Sequence, residues 1–403
     1  MLTYTYFIII MDPRRNPYAP GAGTPPPELA GRDDIIERAA VALYRIGTGR
    51  AARSVILYGL RGVGKTVLLQ RIRLVAETEN FVPVVIEAPE ERSLPAILGP
   101  ALRAALIRMS RGEAAKSALR RALGALAGFA RIAKLKYGDV EFNVDFSPEL
   151  GLADSGDLET DITDLLVCVG ETAAERKTVV VLFIDEVQYI PEVQLAALIT
   201  ALHRASQKQL PITLVAAGLP QLLGQMGRAK SYAERLFEFI PIGPLEKDAA
   251  RQALCVPAEQ EGVTFSEEAI DEILRRTEGY PYFIQEWGKH AWSEAPVSPI
   301  TLADVQRANE VAVAELDASF FRVRFDRLTP AEKRYIRAMA ELGPGPHRSG
   351  DIADLLGKKN SAVAPVRARL IVKGMIYSPS HGDNAFTVPL FDGFMKRIMP
   401  SLS

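Results

Sequence analysis

Cysteine and histidine are scarce in this chain of 403 residues, which contains two cysteines and four histidines. Cys168 and Cys255 stand far apart in apolar helical contexts, without the spacing of a disulfide framework or a metal site. We therefore expect both to be reduced thiols in a cytoplasmic protein. The histidines are scattered along the chain, and we expect no metal-ligand cluster among them.

Long hydrophobic runs are also absent, which argues against a membrane partner. The N-terminal stretch MLTYTYFIII covers only the first ten residues, too few to span a bilayer. It has no preceding basic residue and no small-residue cleavage site, so it makes a poor signal peptide. Met11 follows directly, and an alternative interpretation is an extension upstream of the true start.

An excess of either charge is lacking, since the formal net charge is −1. Hydrophobic residues make up 48% and charged residues 24%, an ordinary soluble composition with room for two or three domains. The balance hides an asymmetry. From Asp326 onward, 12 Lys and Arg face 7 Asp and Glu, a net charge of +5, while the remainder holds 36 against 42, a net charge of −6. A basic C-terminal module is typical of a nucleic-acid binder.

One short stretch fits the pattern G-x-x-x-x-G-K-[ST] at every fixed position. An apolar run precedes it and an amphipathic helical pattern follows it, which is the strand–loop–helix context that the motif requires. The backbone N–H groups of such a loop face a polyphosphate. We expect the lysine to reach the phosphates and the threonine to offer its hydroxyl to Mg²⁺. The candidate nucleotide-binding residues here are Gly59, Leu60, Arg61, Gly62, Val63, Gly64, Lys65 and Thr66.

A second motif, TVVVLFIDEVQ, begins at Thr178. Its continuous apolar run predicts a central strand of a parallel sheet covered on both faces. The run ends in Asp185-Glu186, at the strand edge where open α/β sheets bind ligands. We predict that Asp185 holds Mg²⁺ through water, and that Glu186 orients or deprotonates the attacking water.

Strand and helix patterns alternate between Ser54 and about Pro244. The runs SVILY, VPVVIEA, TVVVLFID, ITLVAAG and FEFIPI predict a parallel α/β sheet. An insertion of about residues 93–177 separates the second run from the third. It contains helical stretches and then KLKYGDVEFNVDF, whose alternation predicts a hairpin around Gly138-Asp139.

The flanking segments differ from this core. Residues 12–28 are rich in Pro and Gly and predict an irregular arm. Residues 246–325 show only helical patterns, one of them starting at a capping Ser266. We predict an N-terminal arm at 1–27, a core at 28–245, a helical segment at 246–325 and a separate module at 326–403.

The C-terminal module predicts three helices followed by a two-stranded ribbon, the order of a winged helix-turn-helix. The first helix starts at a Thr cap with Pro in its first turn. The third opens at Asn360 or Ser361, closes at Gly374, and is the helix that such domains lay in the DNA major groove. The candidate DNA-binding residues are Lys359, Asn360, Ser361, Arg367 and Arg369. The alternative is a module that binds a protein partner.

Taken together, GLRGVGKT, LFIDE, the insertion, the helical segment and the C-terminal module resemble the AAA+ ATPases. The similarity covers roughly residues 28–400 and is closest to the branch of origin-recognition-type initiators and STAND switches. It implies a P-loop ATPase core, a helical lid and a winged helix, with ATP and Mg²⁺ as cofactors. Glu186 fits a hydrolysing ATPase of this kind and disfavours a metabolic kinase.

The resemblance also implies further site residues. ELAGRDDIIE is similar to the family segment beside the adenine, at Leu29, Gly31 and Arg32. EGYPYFIQ is similar to the lid motif G-x-P, at Gly279 and Pro281. Arg235, before the fifth strand, is similar to an arginine finger that reaches a neighbouring subunit's γ-phosphate, with Arg228 as the alternative. This finger implies a homo-oligomer in the ATP-bound state.

Two departures from the family pattern indicate slow turnover. The fourth strand ends in Ala216-Ala217-Gly218, without the polar residue that positions the lytic water. Tyr282 and Phe283 follow Pro281, in place of the lid arginine of initiators. We therefore predict a slowly hydrolysing, ATP-binding switch that binds double-stranded DNA, in replication, transposition or mobile-element biology. The alternative is a STAND-like signalling or defence ATPase whose C-terminal domain binds protein.

Overall fold

The computed structural model of the chain describes residues 10–21, 23–110, 116–138 and 146–402. The chain divides into two compact units that alternate along the sequence. The sheet unit comprises Asp33–Tyr58 and Lys65–Pro241. The helical unit comprises Met1–Arg32, Gly59–Gly64 and Ile242–Ser403.

Five parallel strands form the sheet of the sheet unit, which confirms the α/β prediction. They are β1 (Ser54–Tyr58), β2 (Val82–Glu87), β3 (Val180–Asp185), β4 (Ile212–Gly218) and β5 (Phe237–Pro241). Their order across the sheet is β2-β3-β4-β1-β5, and every neighbouring pair is parallel. The strands β3 and β4 are buried along their whole length, as expected for apolar runs that are covered on both faces.

Eight helices accompany this sheet within the described residues. They are α1 (Asp33–Gly47), α2 (Lys65–Thr78), α3 (Leu94–Met109), α4 (Lys116–Tyr137), α5 (Leu158–Glu175), α6 (Glu192–Gln207), α7 (Leu222–Ala229) and α8 (Ala233–Leu236). Helices α3 to α5 lie in the predicted insertion between β2 and β3. They join the sheet's own core through Leu102, Leu126 and Leu165, all fully buried.

The predicted hairpin in this insertion is wrong at its first strand. Residues 134–137 are the last turn of α4, which ends at Gly138 with a φ of +72°. The alternating letters misled the prediction because Leu135 is 81% exposed, while Phe129 and Ala133, one helical turn apart, are buried. The rest of the predicted hairpin, residues 139–145, lies outside the described residues.

The helical unit contains a run of helices, as predicted for residues 246–325. They are α9 (Lys247–Gln260), α10 (Glu267–Thr277), α11 (Pro281–Glu294), α12 (Leu302–Leu316) and, after a π-helical turn at Asp317–Phe321, α13 (Arg322–Asp326). Ser266 caps α10 by accepting a hydrogen bond from the backbone N–H of Ala269 at 3.3 Å. A side-chain oxygen at this position satisfies an otherwise unpaired donor of the first turn.

The described residues of the N-terminal arm, 10–21 and 23–27, contain a 3-10 turn at Pro13–Arg15 and a bridge from Ile10 to Val297 and are otherwise irregular. The arm packs on the helices of its own unit. Tyr18 is 4% exposed, and its hydroxyl donates to the backbone carbonyl of Leu254. The indole N–H of Trp292 donates to the carbonyl of Asp12 at 3.0 Å.

Residues 326–402, which we call the C-terminal module, contain four helices and three short strands. In chain order they are α14 (Pro330–Glu341), β6 (His347–Arg348), α15 (Ser349–Leu355), α16 (Asn360–Val372), β7 (Ile376–Tyr377), β8 (Asp383–Phe386) and α17 (Phe391–Ile398). The strands form an antiparallel sheet in the order β6-β8-β7. The sequence predicted α14 to α16, β7 and β8, but not β6 or α17.

Two helix starts in this module test the capping predictions. Thr329 caps α14 and forms a reciprocal capping box with Glu332, with Pro330 in the first turn, as predicted. Helix α16 begins at Asn360 with Lys359 at the N-cap position and no side-chain cap bond. The predicted start at Asn360 and end at Gly374, which has a φ of +63°, are thus confirmed, while the cap position falls on Lys359.

The C-terminal module shares one hydrophobic core with the other helices of the helical unit. The ring of Phe321, at the end of the π-helical turn, lies 5.3 Å from the ring of Phe394 and 5.7 Å from that of Phe391. All three side chains are buried. Aromatic pairs at such distances add to the free energy gained from burial, so α17 is anchored on the preceding helices. Among the described residues, none of the helices combines the length and apolarity needed to cross a membrane.

Candidate functional site

The loop Gly59–Gly64 follows β1 and leads into α2. Gly59 cannot be replaced here, because a Cβ at this position would lie 2.0 Å from the backbone oxygen of Ile242. The backbone N–H of Arg61 donates to the carbonyl of Thr387 at 2.8 Å, and the N–H of Tyr282 donates to the carbonyl of Gly62 at 3.1 Å. The loop is therefore hydrogen-bonded to both α11 and the C-terminal module.

The segment predicted to line the adenine pocket meets the same part of the helical unit. Arg32 is 8% exposed, and its Nη2 donates to the carbonyl of Gly243 at 2.5 Å. Leu29, three residues earlier, is half-buried. The strand-end residue Ile242 that contacts Gly59 is adjacent to Gly243, so the loop and this segment converge on one stretch of backbone.

The predicted lid motif converges there as well. The carbonyl of Gly279 accepts a hydrogen bond from the N–H of Leu245 at 2.8 Å. Gly279 has a φ of +72°, and a Cβ would lie 2.6 Å from the oxygen of Leu245. Pro281 is the first residue of α11, directly before the Tyr282 that binds the loop. Three segments that the sequence singled out separately thus meet around residues 242–245.

Lys65 and Thr66 open α2 in the sheet unit. The hydroxyl of Thr66 donates to Oδ2 of Asp185 at 2.6 Å, and Lys65 and Asp185 are 8% and 9% exposed. Burial raises the pKa of Asp185, and the Thr66 hydroxyl opposes that shift by bonding the carboxylate. Mg²⁺ prefers oxygen ligands, and this hydroxyl and carboxylate are two oxygen donors held side by side. The predicted metal pair therefore fits the ion.

Glu186 follows β3 in a left-handed conformation, with a φ of +54°. Such a backbone is uncommon for a residue with a side chain and concentrates at functional sites. The N–H of Glu186 donates to Oδ1 of Asp185 at 2.8 Å, and the side-chain amide of Gln188 donates to its Oε2. The predicted catalytic carboxylate is thus oriented by its neighbours.

Gln188 places a polar side chain beside the end of β4, a strand that itself ends in Ala216-Ala217-Gly218 without one. Its Oε1 accepts a hydrogen bond from the N–H of Leu219 at 2.9 Å, directly after β4. A Cβ at Gly218 would lie 2.8 Å from this oxygen. The small residues at the end of β4 therefore leave room for Gln188, which links that strand end to Glu186. Two features of the sequence could have indicated this role of Gln188. It stands two residues after Glu186, and the fourth strand ends in small residues, Ala-Ala-Gly.

The two candidate arginine fingers differ in their surroundings. Arg235 is exposed on α8, directly before β5, and β5 is an edge strand of the sheet. Arg228 on α7 forms a salt bridge with Glu192, with Nε 3.1 Å from Oε2. Arg235 is thus exposed beside the sheet edge, whereas Arg228, also exposed, is paired within the chain.

The predicted DNA-binding residues begin at an exposed helix start. Lys359, Asn360 and Ser361 are all exposed. Asn360 and Ser361 line a groove of about 850 Å³ in the C-terminal module. The other lining residues are Arg348, Ser349, Gly350, Ala364, Arg367, Ser378, Ser380, His381, Gly382 and Asp383. Most residues that line the groove have polar side chains, and the groove runs from the start of α16 to the turn between β7 and β8.

The two arginines further along α16 already have partners within the module. Arg367 donates from Nε to Oδ1 of Asn384 at 2.5 Å and from Nη2 to the hydroxyl of Ser378 at 2.8 Å. Arg369 lies 3.4 Å from Oε1 of Glu332, whose Oε2 is 2.7 Å from Nζ of Lys373. Part of the basic charge on this helix therefore stabilises the module itself.

Comparison with known proteins gives two family matches. Residues 28–215 match the AAA ATPase domain. Residues 318–395 match a domain of unknown function, DUF8462. The first match contains the phosphate loop, Asp185 and Glu186. The chain is therefore an α/β protein in which residues 28–215 are similar to the AAA ATPase domain.

Individual relatives are distant. An uncharacterized HTH-type transcriptional regulator from Methanocaldococcus jannaschii is 26% identical over 231 residues, which is 55% of this chain and 56% of that protein. The chain thus spans about half the length of this curated relative.

Solved structures resemble the whole chain in fold. A Walker-type ATPase from Pyrococcus abyssi has a TM-score of 0.58 at 16% identity, covering 93% of this chain and 97% of that one. The Orc1 protein from Aeropyrum pernix, solved in complex with DNA, has a TM-score of 0.47 at 15% identity, covering 92% and 94%. The likeness to the Pyrococcus protein is one of fold alone.

Proposed function

We propose that this protein is an ATP-dependent switch that binds double-stranded DNA through a C-terminal winged helix. The observation that carries the proposal is the hydrogen bond from Arg61 to Thr387, 2.8 Å long. It attaches the phosphate loop directly to the C-terminal module. A change in the loop on nucleotide binding would act on the module without an intermediate element.

The residues of the AAA ATPase domain have separate roles in the nucleotide step. The N–H groups of Gly62–Thr66 bind the phosphates, and the ammonium of Lys65 neutralises them. Thr66 and Asp185 would hold Mg²⁺, which neutralises developing charge on the phosphates. Glu186 accepts a proton from the attacking water, and Gln188 holds the Glu186 carboxylate in position.

The switch depends on how the helical unit is built. Tyr282 on α11 and Thr387 in the C-terminal module both bind the loop. Phe321 packs the preceding helices against α17. Because these contacts share one core, a loop conformation that ATP prefers shifts the population of the whole set. We further propose that Leu29, Arg32 and Pro281 lie beside the base, since Arg32 and the segment before Pro281 both bond the backbone at 243–245.

Four features support DNA as the partner. The module has the order helix, strand, helix, helix, two strands, which is that of a winged helix-turn-helix. It carries the net charge of +5 counted above. Its third helix begins with exposed Asn360 and Ser361, after an exposed Lys359, beside a groove, and such helix starts read bases in the major groove. The archaeal relative is named an HTH-type transcriptional regulator. A replication, transposition or mobile-element role fits these features.

A second candidate is a STAND-like signalling or defence switch whose C-terminal module binds protein. The observation in its favour is that Arg367, Arg369 and Lys373 have partners within the module, which leaves fewer cations for phosphates. Arg235 at the exposed sheet edge supports assembly into a homo-oligomer in the ATP-bound state for either candidate.

Duplex binding with and without nucleotide tests the proposal. A fluorescent duplex is titrated with the full chain at low salt, without nucleotide, with MgADP and with MgATP. We expect the dissociation constant to depend on the nucleotide in the parent and to be independent of it in Lys65→Ala. Nucleotide binding without duplex binding in any state would exclude DNA and leave the protein-partner switch. A duplex affinity that is the same in all states would exclude the switch.

A further inference from the structure

A second cluster of potential ligands lies on α11 and α12 of the helical unit. Glu286 and His290 are four residues apart on α11, and they share one face of that helix. Glu315 reaches them from α12. Nε2 of His290 lies 3.1 Å from Oε2 of Glu315 and 3.7 Å from Oε2 of Glu286. The scattered histidines of the sequence therefore do include one that meets two carboxylates, contrary to the sequence-based expectation.

The facing atoms of this cluster are buried without a hydrogen-bond partner. Glu286 and His290 are each 6% exposed. Oε2 of Glu286 and Nε2 of His290 both lack a partner in hydrogen-bonding geometry, although Nε2 is close to the Glu315 oxygen. Leaving a buried polar atom unpaired costs about 1–3 kcal/mol, and two such atoms that face one another need an explanation.

Each carboxylate is oriented by an outer partner on its other oxygen. The hydroxyl of Tyr282 donates to Oε1 of Glu286 at 2.9 Å, and Nζ of Lys289 donates to Oε1 of Glu315 at 2.8 Å. The other oxygen of each carboxylate, Oε2, therefore faces Nε2 of His290. Hydrogen bonds to the outer atoms of ligands are the usual way in which a metal site fixes its donors.

We propose that Glu286, His290 and Glu315 form a structural site for a divalent transition-metal ion, of which Zn²⁺ is the type that the donors fit best. A Zn²⁺ ion about 2.0–2.2 Å from each donor atom places those atoms roughly 3 to 3.6 Å apart, close to the separations seen here. One imidazole and two carboxylates suit Zn²⁺ better than Mg²⁺, which prefers oxygen alone.

The electrostatics of the pocket are compatible with this ion. Burial lowers the pKa of His290, which favours the neutral imidazole that binds metals. The ammonium of Lys289 bonds Glu315 and lowers the pKa of that carboxyl, and it lies 3.9 Å from Oε2 of Glu286. Burial raises the pKa of Glu286, and a cation beside that carboxylate would oppose the shift by stabilising its charged form. The ion would join α11 to α12.

Metal binding by the full-length protein tests this site independently of the proposed function. The chain is stripped with a chelator and then dialysed against ZnCl₂ in slight molar excess over the chain, with excess Mg²⁺ to occupy any Mg²⁺ site. Metal content is then measured by mass spectrometry. We expect about one bound zinc per chain in the parent. His290→Asn and Glu286→Gln should lose it, while His381→Asn, which changes an exposed histidine, should retain it.

Two further measurements keep the test decisive if a variant folds poorly. Tyr282→Phe leaves all three ligands in place and should weaken zinc binding by about 10- to 100-fold. Co²⁺ bound to the parent should show visible bands without the near-ultraviolet charge-transfer band that thiolate ligands give. No bound zinc in the parent, retention by a folded His290→Asn, or a thiolate band with Co²⁺ would each overturn the proposal. A parent protein without bound zinc would mean that the Lys289 ammonium alone balances the charge of the two carboxylates.

Discussion

The backbone N–H of Arg61 and the backbone carbonyl of Thr387 are joined by a hydrogen bond of 2.8 Å. Thr387 is held in place by burial and by two further hydrogen bonds. It is fully buried, its hydroxyl donates to the carbonyl of Gly374 at 2.5 Å, and its own N–H donates to the carbonyl of Met375 at 3.1 Å. A movement of the phosphate loop therefore acts on a rigid part of the C-terminal module.

We predict that MgATP changes hydrogen exchange at both ends of this bond. Peptides that cover the loop at 59–64 should exchange more slowly, because phosphates occupy their N–H groups. Peptides from 374–388 should exchange faster, because the module loses its contact with the loop. The measurement is hydrogen–deuterium exchange by mass spectrometry on the parent and Lys65→Ala. Slower exchange in the loop with an unchanged module would contradict direct coupling.

Lys65→Ala should abolish or strongly weaken nucleotide binding. Removing one charge-assisted contact to the phosphates should cost about 1.5–3 kcal/mol, or roughly a factor of 10 to 150 in the dissociation constant. Thermal melting with increasing MgATP measures it. Lys208→Ala is the control, since Lys208 forms a surface salt bridge with Glu171, with Nζ 3.5 Å from Oε1. Equal ATP-induced shifts in melting temperature for Lys65→Ala and Lys208→Ala would mean that Lys65 does not contact the nucleotide.

The sheet and its motifs were predictable because contiguous apolar runs and a fixed loop pattern are local signals. The five strands begin within two residues of the predicted runs. Strand β6 was missed because its two residues, His347 and Arg348, are both polar, whereas the equally short β7 is the apolar pair Ile376–Tyr377. Helix α4 was misread at its end because Leu135 points to solvent, so the letters alternate in polarity without forming a strand.

The candidate site was predictable only where its residues are close in sequence. The phosphate loop, Asp185 and Glu186 belong to continuous motifs. Gln188 was missed because its role depends on Gly218, 30 residues away and on another strand. The pair Glu286 and His290 has helical spacing, but its third partner, Glu315, comes from α12. Contacts between elements follow from packing, which no local pattern contains.

Glu186→Gln should retain ATP and lose turnover, because an amide cannot accept the proton of the attacking water. Loss of a general base lowers rates by about 10²- to 10⁴-fold. Steady-state phosphate release and ATP-induced melting separate the two effects. A mutant as fast as the parent would mean that Glu186 only ends its strand.

Gln188→Ala should also slow hydrolysis while leaving ATP binding intact. The amide of Gln188 bonds Glu186, and its oxygen bonds the N–H of Leu219, so its loss releases the carboxylate. We expect a smaller effect than for Glu186→Gln, since the base itself remains. Gln225→Ala is the control, because Gln225 contacts only the backbone carbonyl of Gln188, at 3.2 Å. Equal rates in Gln188→Ala and the parent would limit Gln188 to a structural role.

Arg235→Ala should lower hydrolysis only at protein concentrations where the chain assembles, because an arginine finger acts across an interface. Such fingers contribute about 10³-fold or more to the rate. Arg228→Ala is the matched control, since Arg228 is paired with Glu192 within its own chain. Phosphate release per molecule is measured over a range of protein concentrations. A rate that is independent of concentration in the parent, with Arg235→Ala silent throughout, would argue against an assembling ATPase.

The sharpest prediction concerns the start of α16. Lys358 and Lys359 are exposed, so both are available to DNA phosphates. Replacing both by Ala should weaken binding to all duplexes alike and flatten the log–log salt dependence by about 1.8, or 0.9 for each lost contact. Lys134→Ala with Lys136→Ala removes the same charge from the exposed end of α4 and should leave the slope unchanged.

Asn360 and Arg367 should behave differently from these lysines, and this difference identifies the role of each residue. Asn360→Ala should alter which sequences are preferred and barely change the salt slope, because base contacts carry specificity and phosphate contacts carry position. Arg367→Ala should lower the melting temperature as well as the affinity, because Arg367 bonds Asn384 and Ser378.

All variants are compared by salt titration of a fluorescent duplex with MgATP present. If the parent binds no duplex even at about 50 mM salt, where phosphate contacts are strongest, the DNA proposal fails. The exposed start of α16 would then be the first surface to test for a protein partner.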